Sequence, residues 1–140
     1  MYGKNPHNNQ KEFHDGLCSM VGCVVCRLFH SHSNNYCSVH HIDGRTKSWA
    51  HWFVIPLCAG HHQAGSNTDF PEMLAVHGSG KAFAETYDTE ENLFAAQFVI
   101  LQSIPDDLIS YVNSGGDKMP MGFVNSVLGA QTALMEIASP

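Results

Sequence analysis

The pattern of apolar and polar positions divides the chain into a polar start, a Cys- and His-rich middle and an apolar end. Residues 1–17, opening MYGKNPHNNQKEFHD, show no sustained apolar face and suggest a loosely held arm in which His7 and His14 are solvated. Residues 22–38 read as a Cys-x-x-Cys turn running into a Ser- and Asn-rich loop. Alternation over residues 36–42 predicts a short strand, and Asp43-Gly44-Arg45 a tight turn. The run WAHWFVIPL over residues 49–57 predicts a second strand, with Pro56 limiting ladder pairing near its end. The two strands make a hairpin with a long connection, and residues 58–63 open a helical turn.

Downstream, residues 69–75 (DFPEMLA) predict a helix with Asp69 as cap, Pro71 early and Glu72 three residues after the cap. Residues 81–87 predict another. A third, over residues 90–101 (EENLFAAQFVIL), starts at Thr89 and is apolar enough to be core or a partner contact. Pro105-Asp106-Asp107 opens a helix running through residue 112. Residues 123–137 place Val124, Val127, Leu128, Leu134 and Met135 at near-helical spacing with a thin polar face, which suits burial or pairing with another subunit.

Composition narrows the picture. A chain of 140 residues is one ordinary domain, and 44% hydrophobic residues can close a modest core. Seven Lys and Arg against thirteen Asp and Glu leave a net charge of −6, which excludes binding nucleic acid by bulk charge. The polar first residues lack the apolar run of a secretory signal, and no window approaches the ~18 apolar residues of a membrane span. A cytoplasmic protein without membrane attachment is expected. The unusual feature is ten His and five Cys.

Cys23-x-x-Cys26 and Cys58-x-x-His61 are two chelating pairs whose spacing lets each converge from one tight turn onto tetrahedral zinc. A rival partition uses Cys23, Cys26, Cys37 and His40, at the cost of consuming one member of the His40-His41 pair. In the first partition Cys37 is a buried thiol, and in both Cys18 is a small hydrophobe. A redox dithiol would leave the downstream histidines unexplained. The second constellation is His40, His41, His51 and His62. Adjacent imidazoles on a strand point to opposite faces, so one can hold a divalent ion while the other takes a proton from water. That division of labour suits phosphodiester hydrolysis. Further structural zinc ligation is the blander reading.

The run CSVHHIDGRTKSWAHWFVIPLCAGHHQAG followed by VHGSGKAFAETYDTEENL resembles the Ref family of phage recombination-enhancement nucleases, a branch of the HNH or ββα-metal endonucleases. The resemblance spans residues 22–94. It implies an α+β fold: an HNH core with a structural zinc knuckle, extended by C-terminal helices. Together with the composition of the flanks, the expected organisation is a flexible arm at 1–17, a zinc-stapled nuclease core at 18–94 and, outside the resemblance, a helical extension at 95–140. The resemblance further implies His40 and His62 as ligands of a catalytic divalent ion (Mg2+, Mn2+ or Zn2+) and His41 as general base. His51 stands near the position where such enzymes carry Asn, so it orients His41, binds the ion or contacts phosphate. His77 either completes the metal shell or serves a structural or DNA-contact role. Arg45, Lys47 and Lys81 are candidate phosphate contacts. DNA is the implied substrate, with a recombinase filament as a partner, while the C-terminal helices beyond the resemblance either cap the core or form a homodimer contact. The rival function is a non-catalytic zinc-stapled module that binds DNA or protein, and a metal hydrolase acting on nucleotides or RNA shares the same chemistry.

Overall fold

The computed structural model describes residues 4–64, 75–115 and 118–138. Among the described residues six α-helices and two strands follow in the order α1 (Asn8–Gly16), α2 (Val24–Phe29), β1 (Cys37–His41), β2 (Val54–Cys58), α3 (Gly80–Thr86), α4 (Glu90–Leu101), α5 (Asp106–Ser114) and α6 (Met121–Ala138). Two single π-turns, Leu17–Val21 and Gly60–Ala64, are also present. The architecture is α+β, as expected.

The first segment differs from the loosely held arm that its polar composition suggests. His7 caps α1, its Nδ1 accepting from the Gln10 amide at 3.3 Å while the Gln10 side chain accepts from the His7 amide at 3.0 Å. Gln10, Phe13 and Leu17 then face inward on one helical stripe. Phe13 stacks on Phe98 with ring centroids 5.8 Å apart and tilts against Trp52. With only two large apolar residues on that stripe, its periodicity is too sparse to read. Helix α2 also replaces part of an expected loop, because Val24, Val25 and Cys26 are all buried.

β1 and β2 pair antiparallel with His40 opposite Ile55, Val39 opposite Pro56 and Cys37 opposite Cys58. Pro56 therefore sits inside the ladder instead of limiting it. Among the described residues the sheet has two strands, so each has an outer edge where a missing N–H is tolerated. β2 begins at Val54, not at residue 49. The Trp52 and Phe53 amides turn back to the Trp49 carbonyl, at 2.9 and 3.0 Å, which buries these large side chains in a compact corner.

α4 is the central helix. Thr89 caps it by accepting from the Asn92 amide at 3.1 Å, and Leu93, Phe94, Gln97 and Phe98 are buried. It runs continuously through residues 94 and 95, packing on β2 on one side and on α6 on the other. Phe53, Phe94 and Phe123 join these layers at centroid separations of 5.0 to 5.8 Å. Gln97 donates to the Val54 carbonyl at 2.9 Å, fixing α4 against the strand that carries Cys58. The helix expected over residues 69–75 lies, except for Ala75, outside the described residues.

Candidate active site

The sheet and the Gly60–Ala64 turn position both donor groups. Cys23 and Cys26 lie at the start and in the first turn of α2, and Cys58 ends β2. His61 enters from the π-turn, and the adjacent His62 faces the other donor group. All four donors of the first group are buried. His61 Nδ1 lies 3.4, 3.5 and 3.3 Å from the sulfurs of Cys23, Cys26 and Cys58, and Cys26 and Cys58 are 3.8 Å apart. Zinc with Zn–S of about 2.3 Å and Zn–N of about 2.0 Å makes tetrahedral edges of about 3.8 Å for S···S and about 3.5 Å for N···S. The donors thus stand at the corners that zinc requires.

The electrostatics agree. Hydrogen bonds from Cys23 and Cys26 hold Cys58 far below the usual thiol range, as a thiolate. Burial alone would lower His61, but the sulfurs of Cys23 and Cys58 outweigh it and raise the imidazole to about 9. Such a site attracts a cation. His61 Nε2 lies 3.3 Å from His30 Nε2, the two rings stacked at 16°, so the nitrogen turned away from the sulfurs has a partner.

The partition through Cys37 and His40 is not the one observed. Cys37 is half-buried, not buried, and its carbonyl accepts from the Cys18 thiol at 3.5 Å. His40 faces the second group, where donor atoms of His40, His62 and His77 lie within 4.8 Å of one another. The His77 amide donates to the His62 carbonyl at 3.1 Å, and the Val76 amide to that of His61 at 2.8 Å, which lays His77 beside His62. His40 Nε2 lies 2.6 Å from Glu90 Oε1. A carboxylate only accepts, so Nε2 carries the hydrogen and Nδ1 keeps its lone pair for an ion. Burial and the neighbouring His40 and His77 lower His62 to about 4, keeping it neutral and able to coordinate. An ion about 2.1 Å from each nitrogen needs N···N separations of about 3.0–3.5 Å, within reach of small side-chain movements. His40 is buried, His62 half-buried and His77 exposed, so this group, unlike the first, opens to solvent.

His41 points to the other face of β1, with Nε2 3.0 Å from His51 Nδ1. His51 Nε2 in turn lies 2.5 Å from the Lys4 carbonyl oxygen. That oxygen can only accept, so His51 carries its hydrogen on Nε2 and, when neutral, accepts at Nδ1 from His41 Nε2–H. His41 Nδ1 is left with a lone pair. His14 Nε2 donates to the His51 carbonyl at 2.7 Å, tying α1 into the array. Burial first, then Arg45, His51 and His14, lower His41 to about 4.

His40, His41, His51, His62, His77, His14 and Arg45 line one cleft of about 450 Å³. Lys47 lines an adjoining cavity that shares His51. Lys81 is exposed in the first turn of α3 and lies outside the lining of both. Glu90, His14, His30 and the Lys4 carbonyl escape sequence reasoning. By sequence Glu90 belongs to the acidic group Glu85, Asp88, Glu90 and Glu91, a face expected to turn away from DNA, and nothing in the spacing joins it to a histidine 50 positions away.

Two strands and a turn carrying an open three-histidine group, braced by a closed Cys3His knuckle, define a ββα-type metal-dependent nuclease site. Residues 6–102 match the family described as recombination enhancement, RecA-dependent nuclease, and the chain belongs to that family. Family and donor sets together make it a metal-dependent nuclease with a structural zinc site and a separate catalytic metal site, and DNA is its partner. No described helix is long and apolar enough to cross a membrane.

Proposed function

We propose that the protein is a DNA endonuclease in which His41 is the general base and His40, His62 and His77 hold the catalytic ion. The observation that carries this reading is the cleft itself. It sets an imidazole with an available Nδ1 lone pair beside three histidines gathered around an open space. His41 Nδ1 takes a proton from the attacking water as the new P–O bond forms and the bond to the leaving oxygen breaks. A divalent ion, when bound, stabilises the charge that develops on the phosphate and the leaving oxygen. His51, held by the Lys4 carbonyl, fixes the tautomer and orientation of His41. Arg45 in the cleft and Lys47 in the adjoining cavity neutralise the scissile phosphate and those next to it on that side. Lys81, remote from the cleft lining, would contact DNA only beyond it. Glu90 orients His40 and raises its basicity. Three imidazole nitrogens suit Zn2+ or Mn2+ better than Mg2+, which prefers oxygen ligands.

Membership of a RecA-dependent nuclease family supports a recombinase filament as the setting in which the DNA is presented. Five cysteines without a disulfide, three of them committed to zinc, and a filament partner suit the cytoplasm. α6 leaves Met121, Leu128 and Ile137 exposed, which supports a homodimer contact there, to be read from light scattering.

The test is cleavage of supercoiled, linear and single-stranded DNA with Mn2+, Mg2+ or Zn2+, with and without recombinase filament, by wild type and His41→Ala. Wild-type cutting that His41→Ala abolishes supports the reading. Equal cutting by both removes His41 from the base role. No cutting by wild type under any of these conditions, with zinc bound, favours the non-catalytic module.

A further inference from the structure

Three concavities run in series across the face that carries the open histidine group. The central cleft shares Ser38, His62 and Gln63 with a neighbour lined also by Tyr36 and Cys37. On its other side it shares His51 with the cavity lined by Lys4, His7 and Lys47. The path therefore has a cationic end, an ion-binding middle and an aromatic end.

Its charge is unlike that of the molecule. The chain has thirteen Asp and Glu against seven Lys and Arg, yet no described residue lining these three concavities is acidic, while Lys4, Arg45 and Lys47 all are lining residues. Elsewhere the pattern reverses: Glu12, Asp106 and Asp107 line a cavity between α1 and α5, and Glu91 lines one between α4 and α6. A polyanion is accommodated along one path and repelled from the others.

At the aromatic end, Tyr36 is 91% exposed, although a tyrosine ring ordinarily covers part of its surface. Its backbone is nonetheless fixed. The Tyr36 amide donates to Asn34 Oδ1 at 3.1 Å, and Asn35 Nδ2 donates to the Cys18 and Ser19 carbonyls at 3.1 and 2.6 Å. The ring is presented by an anchored loop immediately before the strand that carries His40 and His41.

We propose that Tyr36 is a stacking platform for an unpaired base next to the scissile phosphate, with Lys4 and Lys47 receiving the backbone on the opposite side of the cut. Within a duplex both faces of a base are covered by its neighbours, so a tyrosine can take only a base that is out of the stack. The substrate class is thus a strand that is single or locally unpaired at one nucleotide beside the cut. This inference rests on the nuclease reading of the same cleft.

The test uses the full-length, metal-loaded protein carrying His41→Ala, so that bound strands stay intact, and fluorescence anisotropy with a short single-stranded oligonucleotide. An abasic residue is moved along the strand one position at a time. One position should weaken binding by roughly 5- to 100-fold, the range of a single base–aromatic stack. Tyr36→Phe should keep that profile and Tyr36→Ala should flatten it, with melting temperature and zinc content unchanged in both. Lys4→Ala and Lys47→Ala should each reduce the slope of log affinity against log salt by about 0.7. A flat abasic profile in the parent, a profile unaltered by Tyr36→Ala, or a blunt duplex bound as tightly as the strand would each overturn the platform. Cleavage of the same strand by protein with His41 intact, with and without recombinase filament, is scored separately. A Tyr36-dependent profile without cleavage sinks the nuclease reading and keeps the platform, whereas cleavage with a flat profile sinks the platform alone.

Discussion

The adjacent His40 and His41 have opposite tasks because successive side chains on a strand face opposite ways. His40 turns toward Glu90, His62 and His77, and His41 toward His51. His41→Ala is expected to lower kcat by about 10²- to 10⁴-fold while metal binding in the cleft persists, measured by single-turnover cleavage beside metal titration. Glu90→Gln replaces an anion with a neutral acceptor and should weaken catalytic-metal affinity by about 10- to 100-fold, with zinc content unchanged. Saturating metal should restore most of its rate. The pH profile follows from the direction of the His41 shift. A base works only when neutral, and burial together with Arg45 and the surrounding imidazoles lowers His41 to about 4. Cleavage should therefore hold its rate well below pH 6.5 and fall only as pH approaches 4. A divalent ion in the cleft pushes the same way. Arg45→Ala removes one cause and should move this acid limb upward. Protonation of His62, also lowered to about 4, competes with the metal instead, so a limb that shifts with metal concentration belongs to His62 and one that does not belongs to His41.

The elements that hold these residues depend on a few local devices. Gly22 ends the first π-turn at φ +70°, and a Cβ there would meet the Asn34 carbonyl oxygen at 2.8 Å. That same oxygen accepts from the Cys23 amide at 2.8 Å, so the close approach sets where the first thiolate ligand starts. Gly22→Ala should destabilise the fold by about 1–3 kcal/mol and weaken zinc retention, both readable from melting curves with and without a zinc chelator. The knuckle was legible in the sequence because its ligands come as two short pairs, each closing over one turn. α4 was legible through its Thr89 cap, and α6 through its apolar spacing. α1 was not, since two apolar residues on one stripe are no more than any polar segment carries. Its helical state is set by Phe13 docking on Phe98 and Trp52, partners far along the chain. Glu90, His14 and His30 are hidden for the same reason: each acts through a contact that only packing creates. His77 could be singled out but not placed, because its backbone bond to His62 belongs to the tertiary fold.

At the scale of the whole molecule, the two ion sites differ in how they meet solvent, and this separates what each sustains. The Cys3His group is buried on all four sides and joins α2 to the end of β2, the strand on which α4 packs. Losing its ion would leave a thiolate and crowded donors in the core, with only protons to balance them. The histidine group opens through His62 and His77 and is buried at His40. A chelator should therefore act in two stages. The accessible ion leaves first, abolishing cleavage with no change in far-UV circular dichroism, and added Mn2+ or Zn2+ restores activity within mixing time. The enclosed zinc leaves slowly, at a rate limited by local opening, and takes the melting temperature with it. Structural zinc in small Cys/His units supplies about 10–16 kcal/mol of apparent binding free energy, comparable to the whole stability of an ordinary domain. Metal release followed by a colorimetric chelator, alongside cleavage and circular dichroism, checks this directly. Release in a single phase, with activity and secondary structure lost together, would mean that the two sites are not independent and that the open group is as structural as the closed one.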